Sequence, residues 1–307
     1  MTGRARTGQD AARTRQRAAD AGKWAGGRIA LLLDAAFGAR SDGALGILLY
    51  HRVAEVDGGV EPPTMNVAPA RFRGQVERLL DAGYRFLPVG EVVGHALAGE
   101  PLPARLAVLT FDDGYLNFYL NVWPVLAELA VPATVFVTTA YLDSPAPFPF
   151  DDWGRRHQER LSAVAWKPLT WAQCQEMAAS GLVEIGSHTH THRNFRGRPD
   201  AFAEDLTTSL RLLEQQLGPG RRTFSFPFGS VRRGFAGPEL AEAARSCGVT
   251  CSLTTEIGLV DPRTSPFTWG RLEVAAHDSG AVVAAKLDGW YAWMGATREA
   301  FRAVFRT

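Results

Sequence analysis

This chain of 307 residues has few cysteines and almost no excess of either positive or negative charge. The three cysteines, Cys174, Cys247 and Cys251, are an odd number without a regular spacing, which argues against a disulfide-stapled secreted scaffold. No histidine pair or further cysteine lies beside them, so we interpret them as small apolar residues rather than a structural zinc site. The 33 basic and 32 acidic residues give a formal net charge of +1, and nothing in that balance favours a nucleic-acid-binding domain.

Long hydrophobic runs are also missing from the basic N-terminal segment. Its apolar stretch, 29–33, ends at Asp34, which makes it shorter than the core of a signal peptide and far shorter than a membrane span. The sequence therefore predicts a cytoplasmic location, or a peripheral one at a membrane surface.

The two ends of the chain differ in composition from its centre. Residues 1–43 are predicted to be a basic, partly helical arm, since residues 1–28 hold seven basic and two acidic side chains. Residues 276–307 are predicted to be a helical tail. Its aromatic side chains are Trp290, Tyr291, Trp293, Phe301 and Phe305. Arm and tail together could contact an anionic membrane, or the tail could pack against the body of the protein. The sequence does not set an oligomeric state.

Between these ends, residues 44–275 alternate between apolar strand patterns and amphipathic helix patterns, which is typical of one barrel-like or doubly wound α/β domain. About seven βα units are expected. The predicted strands are 45–53, 105–111, 133–139, 183–186, 223–226, 250–255 and 267–274, and the predicted helices are 69–82, 118–129, 170–181, 201–217 and 238–247.

A segment rich in proline and aromatic residues, 143–168, interrupts this alternation and includes Trp153. Long insertions of this kind are often functional. Aromatic rings stack well on sugars, so the segment could form the wall of a substrate groove, but core packing explains such rings as well.

Two predicted strands end in side chains that bind metals. The sequence Thr-Phe-Asp-Asp-Gly at 110–114 follows one strand, and Ser-His-Thr-His-Thr-His at 187–192 follows another. His188 and His192 are four residues apart, so they can converge on one ion with a carboxylate. His190 is spaced to point elsewhere. Such a set leaves coordination positions open for water and substrate, which is typical of a catalytic metal rather than a structural one.

These two motifs resemble those of the polysaccharide deacetylases, also called NodB-homology domains or carbohydrate esterase family 4. The resemblance implies a distorted (β/α)7 barrel as a single catalytic domain, here over residues 44–275. It also implies that Asp112 is the catalytic base, and that Asp113, His188 and His192 bind the metal. Adjacent carboxylates can divide these roles, because a carboxylate bound to a divalent ion is a poor proton acceptor.

The third motif of the family is Arg-x-Pro-Tyr or a variant, and here Ser-Phe-Pro-Phe occupies 225–228. The resemblance makes the backbone N–H of Phe228 the oxyanion donor and implies that Pro227 and Phe228 contact the substrate. Trp153 of the insertion is a further predicted substrate contact. Ser225 stands where many members have arginine. Arg271, on the last predicted strand, could supply the missing charge and tune Asp112, or it could form a surface salt bridge.

The family's last motif, Leu-x-His, does not occur after residue 230; His277 is the only histidine there, and its context does not match. A histidine instead follows the first predicted strand, at His51. This order resembles the circularly permuted branch that includes poly-N-acetylglucosamine deacetylases, in which the acid precedes Thr-Phe-Asp-Asp-Gly. The resemblance therefore makes His51 the general acid, the alternative being a core or capping histidine.

The function predicted from these residues is metal-dependent removal of N-acetyl groups from a glycan, with Zn²⁺ as the expected ion and Co²⁺ or Ni²⁺ as alternatives. Two other functions remain open. The same site suits an O-acetyl esterase, and the loss of arginine at Ser225 would also suit an inactive glycan-binding domain. An acetylated glycan is the expected partner in each case, and nucleic acid is not.

Overall fold

A computed structural model describes residues 44–56, 59–220 and 222–289. The predicted basic arm at 1–43 lies outside the described residues. So do the five aromatic residues of the predicted tail, because the description ends at residue 289.

An eight-stranded parallel sheet forms the centre of the structure, in the order β10-β1-β5-β6-β7-β8-β9, with β4 pairing to the start of β5. A separate parallel pair, β2-β3, lies outside this sheet. The strands are β1 Gly46–Tyr50, β2 Arg52–Val53, β3 Asn66–Val67, β4 Arg85–Phe86, β5 Leu106–Phe111, β6 Ala133–Val137, β7 Val183–Ser187, β8 Thr223–Ser225, β9 Cys251–Leu253 and β10 Leu272–Glu273.

The segment that includes β10 connects the two ends of this sheet. At its start Trp269 pairs with Leu253 of β9, and Thr254 N–H donates to the Trp269 carbonyl at 2.8 Å. At its end Leu272 pairs with Leu48 of β1. The sheet is therefore curled into a distorted barrel, which confirms the predicted fold class.

Eight α-helices are described, and most lie between consecutive strands of the sheet. They are α1 Pro69–Asp81, α2 Val89–Ala98, α3 Trp123–Leu129, α4 Asp152–His157, α5 Trp171–Ala179, α6 Pro199–Leu217, α7 Pro238–Ser246 and α8 Gly280–Leu287. A π-helical turn, Phe118–Val122, precedes α3, and a 3-10 turn, Ala163–Ala165, precedes α5. Thr170 and Gln173 form the predicted capping box at the start of α5.

Alternate residues of the strands enter different hydrophobic clusters. On β5, Leu106 and Val108 pack in one cluster with Ile47, whereas Leu109 and Phe111 pack in another with α1. Side chains alternate between the two faces of a strand. Asp112, four residues beyond Val108, lies on the same face as Leu106 and Val108, just after the end of β5.

Helix α2 packs in the same cluster as the interior residues of the barrel, at the end where β5 and β6 begin. Its residues Val89, Val92 and Val93 belong to that cluster. Its first backbone N–H groups donate to side chains of the barrel strands: Val89 to Thr134 at 2.9 Å and Gly90 to Glu184 at 2.7 Å. This helix was absent from the sequence prediction.

The predicted C-terminal segment begins with α8, which packs against α1. Gln75 of α1 donates to the carbonyl of Asp278 at 2.7 Å, and a Cβ placed at Gly280 would lie 2.8 Å from the Gly74 carbonyl oxygen. In the part of the chain that the structure describes, no helix has the length and apolarity needed to cross a membrane.

Candidate metal centre and active site

The ends of strands β1, β5 and β7 place the predicted site residues at one end of the barrel. Tyr50 of β1 pairs with Phe111 of β5, and Asp112 N–H donates to the Tyr50 carbonyl at 3.0 Å. His51 and Asp112 therefore follow adjacent strands at the same level. The histidine motif follows β7, two strands further along the sheet.

Asp113, His188 and His192 converge on one point. The Nε2 atoms of both histidines lie 3.5 Å from Asp113 Oδ1, and all three residues are buried. Each offers one ligand atom, and these atoms lie within 4.8 Å of one another. Two nitrogen ligands and one oxygen ligand bound tetrahedrally to Zn²⁺ would be about 3.3 Å apart, which is close to the observed separations.

The chemistry of these three groups also fits a divalent cation. His188 Nδ1 lies 2.8 Å from the carbonyl oxygen of Ser225, so Nδ1 carries the proton and the lone pair of Nε2 is turned towards Asp113. Burial lowers the pKa of His188, and burial together with His188 lowers the pKa of His192 well below its usual value. Both imidazoles therefore remain neutral, as metal ligands must.

The carboxyl group of Asp113 is poorly stabilised by the protein alone. Burial, and then the charge of Asp112, raise the pKa of Asp113 well above its usual value. A cation held beside it would reverse this effect, because a positive charge favours the ionised carboxylate. The group Asp113, His188 and His192 can therefore bind a metal ion, while its identity is not set by the geometry.

The loop that carries both histidines is held by Asp205 of helix α6. One carboxylate oxygen of Asp205 accepts hydrogen bonds from the backbone N–H groups of His190 and Thr191, at 2.7 and 3.1 Å, and the other accepts from the Thr191 hydroxyl at 2.5 Å. His190 itself turns away from the centre, with Nδ1 3.0 Å from the Thr139 hydroxyl. Asp205 was not predicted from the sequence, because it lies 13 residues beyond His192 on a helix that reads as ordinary amphipathic structure.

We expect Asp205→Ala to weaken metal binding by about tenfold or more, because groups that orient ligands commonly affect metal affinity to that extent. Competition with a chromogenic chelator measures the affinity. Asp200→Ala, an exposed change on the same helix, is the matched control. An unchanged affinity in folded Asp205→Ala protein would show that the loop is held by its other contacts.

Arg271 and Asp112 form a buried ion pair beside the triad. Two nitrogens of the guanidinium donate to the two oxygens of Asp112, at 2.8 and 2.7 Å, and both side chains are almost fully buried. The hydroxyl of Ser225 completes the group, since it accepts from Arg271 at 2.8 Å and donates to Asp112 at 3.2 Å. Arg271 also donates to the carbonyl of Thr254 at 2.9 Å. Of the two arrangements left open by the sequence, Arg271 adopts the contact with Asp112.

This pair sets the ionisation of Asp112. Burial favours the protonated acid, but the charge and hydrogen bonds of Arg271 outweigh burial and hold the pKa of Asp112 well below its usual value. Asp112 is therefore an ionised carboxylate at neutral pH. Asp112 can accept a proton, while Asp113 is the carboxylate that lies beside the two histidines.

His51 is partly exposed, yet its Nδ1 atom is buried without a hydrogen-bond partner among the described residues. Burial lowers the pKa of His51 to about 4, although the charge of Asp112 opposes the shift. The histidine thus lies within electrostatic range of Asp112, Arg271 and His188. Its role as an acid stays a prediction.

A strained turn follows β8 and carries the third motif. Phe228 has φ of 62°, and at Gly229, with φ of 54°, a Cβ would lie 2.8 Å from the backbone nitrogen of Thr255. Asp113, Thr189 and His192 also have positive φ. Such conformations are costly for residues other than glycine and concentrate at functional sites. Pro227 is buried, whereas Phe228 is 46% exposed.

Aromatic rings enclose the second histidine ligand. The ring of Phe150 stacks on His192 at a centroid distance of 3.8 Å, and the ring of Phe228 meets it edge-on at 4.9 Å. Phe148, fully buried, stacks on Phe150 in turn. The insertion 143–168 therefore packs against the metal centre, through rings that the sequence did not assign to it.

A buried arginine connects the same insertion to β2. Arg52 pairs with Asp151 at 2.5 Å, and its guanidinium lies over the rings of Tyr115 and Trp153. The indole N–H of Trp153 donates to the carbonyl of Glu61 at 2.9 Å. Trp153 is thus a partly exposed packing partner of Arg52, and its predicted contact with substrate stays a prediction.

A curled parallel barrel with an Asp-His-His group at the ends of its strands is the combination compared with known proteins. Residues 99–252 match the family model described as polysaccharide deacetylase. The chain belongs to the polysaccharide deacetylase family, as its motifs predict.

Several curated relatives are named poly-beta-1,6-N-acetyl-D-glucosamine N-deacetylase. The protein from Escherichia coli (strain K12) is 33% identical over 140 residues, which are 46% of this chain and 20% of the relative. The chain thus spans a fifth of the length of that protein. The protein from Staphylococcus epidermidis is 24% identical over 262 residues, 79% of this chain and 83% of the relative.

Solved structures show the same fold. IcaB from Ammonifex degensii has a TM-score of 0.66 and 28% identity, covering 81% of this chain and 99% of that one. The deacetylase PplD from Streptococcus pyogenes, solved in complex with acetate, also has a TM-score of 0.66 at 21% identity, covering 80% of this chain and 98% of that one. The predicted family and barrel fold are therefore confirmed.

Proposed function

We propose that this protein is a metal-dependent hydrolase that removes N-acetyl groups from a glycan. The observation that carries the proposal is the ionised Asp112, held by Arg271, directly beside a buried Asp-His-His group with the ligand spacing of a divalent ion. A base and a metal site on adjacent residues are what hydrolysis of an unactivated amide requires. The names of the relatives support an N-acetylated glycan as substrate.

Asp113, His188 and His192 would hold the ion, and Zn²⁺ is the ion that this donor set favours. When bound, the ion would supply positive charge that polarises the acetyl carbonyl and makes a nearby water more acidic. A strictly octahedral ion such as Mg²⁺ prefers oxygen ligands and fits two imidazoles poorly.

Asp112 acts as the general base in this proposal. It removes a proton from the attacking water, and Arg271 keeps it ionised before the reaction and oriented during it. The backbone N–H of Phe228 donates to the oxyanion that develops on the acetyl carbonyl. The φ of Phe228 lies in the left-handed region, a conformation that concentrates at functional sites.

His51 acts as the general acid and protonates the departing sugar amine. An amine is a poor leaving group unless it is protonated, so amide hydrolysis depends on an acid more than ester hydrolysis does. The free imidazole has a pKa of about 4 because of burial. Burial disfavours its protonated form, and the negative charge of Asp112 favours that form before the reaction.

We expect His51→Ala to lower the rate of acetate release from N-acetylglucosamine oligomers by about 10²–10⁴-fold. Hydrolysis of an acetyl ester should fall less, because an alkoxide or phenolate leaves without full protonation. Initial rates on an acetylated sugar oligomer and on 4-methylumbelliferyl acetate provide the comparison. His95→Ala, a change on helix α2 at the other end of the barrel, is the control. Equal losses on both substrates would contradict the acid role and favour a packing role for His51.

O-acetyl esterase activity is the second candidate, because the same base and metal group suit an ester. If wild-type protein released acetate from O-acetylated sugars but not from N-acetylated ones, the esterase would replace the deacetylase as the conclusion. If metal-loaded protein released acetate from neither kind of sugar, the inactive glycan-binding domain would be favoured.

A further inference from the structure

Five exposed arginines lie on the two loops that flank the site after β7 and β8. We call them the arginine rim: Arg193, Arg196, Arg198, Arg232 and Arg233. The loop segments that carry them, 189–198 and 226–237, contain no aspartate or glutamate. Among the described residues, none of the five forms an ion pair of the kind seen for Arg222 with Glu214 at 2.7 Å.

Contacts between rings connect this rim to the metal centre. The guanidinium of Arg196 lies 4.4 Å from the ring centre of Phe235, and that of Arg233 lies 5.3 Å from it. Phe235 packs on Phe228 at 4.7 Å, and Phe228 contacts His192 at 4.9 Å. The rim therefore continues the surface of the site outwards, beyond the exposed ring of Phe228.

One acidic side chain contacts the second of these loops without pairing with a guanidinium of the rim. Glu256, after β9, directs one carboxylate oxygen to the backbone N–H of Val231 at 2.8 Å and to the hydroxyl of Ser230 at 3.2 Å. It stabilises the loop rather than a guanidinium. The clustering is also local, because residues 29–307 hold 30 acidic and 26 basic side chains. The five arginines without carboxylate partners are therefore a local feature of this rim and do not reflect a basic composition of the chain.

We propose that the arginine rim binds the anionic groups of an acidic acetylated glycan, one whose repeating unit carries a carboxylate beside the N-acetylated sugar. This proposal rests on the proposed function and specifies its substrate class. Guanidinium groups bind carboxylates through two parallel hydrogen bonds, and an aromatic ring such as Phe228 or Phe235 packs well against a sugar face. The rim thus provides both contacts that an acidic sugar next to the reacting one requires.

The charge of the product supports the same choice. Removal of acetyl groups from a neutral polymer leaves ammonium groups, which an arginine rim would repel as they accumulate. An acidic polymer keeps its carboxylates after deacetylation. The rim therefore suits a polymer that is anionic before the reaction and zwitterionic after it.

Binding of two matched oligosaccharides tests this proposal. One alternates N-acetylglucosamine with glucuronic acid, and the other is a chitin oligosaccharide of the same length. Fluorescence anisotropy of the labelled sugars is measured with zinc-loaded, full-length protein that carries Asp112→Asn, so that neither sugar is consumed. We expect the acidic sugar to bind on the order of tenfold more tightly at low ionic strength, with the advantage shrinking as salt is added.

Two double variants assign any preference to the rim. Arg196→Gln with Arg233→Gln should abolish the preference for the acidic sugar. Arg71→Gln with Arg211→Gln removes the same charge from the exposed faces of α1 and α6 and should retain it. Equal binding of the two sugars, or a preference that survives the rim variant, would overturn the proposal.

Anionic phospholipid vesicles are the remaining arm of the test. Tighter binding to the vesicles than to the acidic sugar, lost in the rim variant, would overturn the proposal in favour of a membrane contact. The proposed function is tested separately, by acetate release from wild-type protein. A protein that binds the acidic sugar through the rim but releases no acetate would refute the proposed function and support the binding site. A protein that releases acetate but binds both sugars equally would support the function and overturn the binding site.

Discussion

Replacing Asp112 by asparagine should lower acetate release from an N-acetylated glycan by about 10²–10⁴-fold, because the amide cannot accept the proton that water must lose. Metal content should not change, since Asp113, His188 and His192 remain. The loss should appear in kcat rather than KM, because a base acts in the transition state and not in binding of the ground state. Initial rates together with metal analysis of the same preparations test this expectation.

Asp200→Asn is the matched control for Asp112→Asn, because it removes an exposed carboxylate on α6 away from the site. It should retain wild-type kinetics. Near-wild-type turnover by metal-loaded Asp112→Asn protein would mean that another group is the base. Loss of metal from that variant would mean instead that Asp112 is a ligand.

Removal of Arg271 should be the most damaging change to the barrel itself. Arg271→Met leaves the carboxylate of Asp112 buried without its partner, and breaking a buried ion pair in this way commonly costs about 3–5 kcal/mol of unfolding free energy. Turnover should fall as well, because without the guanidinium burial raises the pKa of Asp112 and weakens it as an ionised base. Urea unfolding at several pH values and a pH–rate profile measure the two effects.

The pH dependence of that loss follows from the direction of the shift. In the folded wild-type protein the pKa of Asp112 lies below its ordinary value of 3.8, so the ion pair stabilises the protein above that pH and the contribution is lost as the pH falls through the folded pKa. In Arg271→Met protein the main charge that opposes burial is lost, so burial raises the pKa of Asp112 and the carboxylate becomes destabilising at neutral pH. The difference in stability between the two proteins should therefore be largest near neutrality and shrink on acidification, while the acid limb of the rate profile moves to higher pH.

Two further variants separate charge from geometry at this position. Arg271→Lys keeps the charge but not the paired hydrogen bonds, and it should recover part of the stability and less of the rate. Ser225→Ala removes the bridging hydroxyl and should cost about 1 kcal/mol. If Arg271→Met were as stable and active as wild type at neutral pH, the ion pair would have no part in holding the base.

The site could be predicted from the sequence because its residues lie at strand ends in short motifs. Asp112 and Asp113 follow a short apolar run that is typical of a buried strand, and the residues at 188–192 follow another. Parallel strands bring such ends together. Arg271 was a candidate for another reason, because an arginine on the last predicted strand could replace the one missing at Ser225. It lies directly before β10, and its partner could not be chosen without the position of Asp112.

The residues that support the site were not predictable, because their signals are those of ordinary packing. Asp205 resembles any polar residue of an amphipathic helix, and Phe150 resembles any aromatic residue of a loop. Only the fold brings them to the histidine loop.

Helix α2 was missed for a different reason. The sequence Val-Gly-Glu-Val-Val-Gly at 89–94 is rich in β-branched residues and glycine, which disfavour helices when isolated. Burial of its valines against the barrel interior overrides that preference.

One measurement tests the central claim most directly: the number of divalent ions bound to the purified protein and to two sets of variants. The account predicts one Zn²⁺ per chain in wild-type and in Asp112→Asn protein. It predicts a large loss of affinity in His188→Ala and His192→Ala proteins that remain folded by circular dichroism, with acetate release from wild type abolished by a chelator and restored by the metal. Folded protein that binds no divalent ion, or variants of both histidines that bind it as tightly as wild type, would contradict the assignment of Asp113, His188 and His192 as the metal centre.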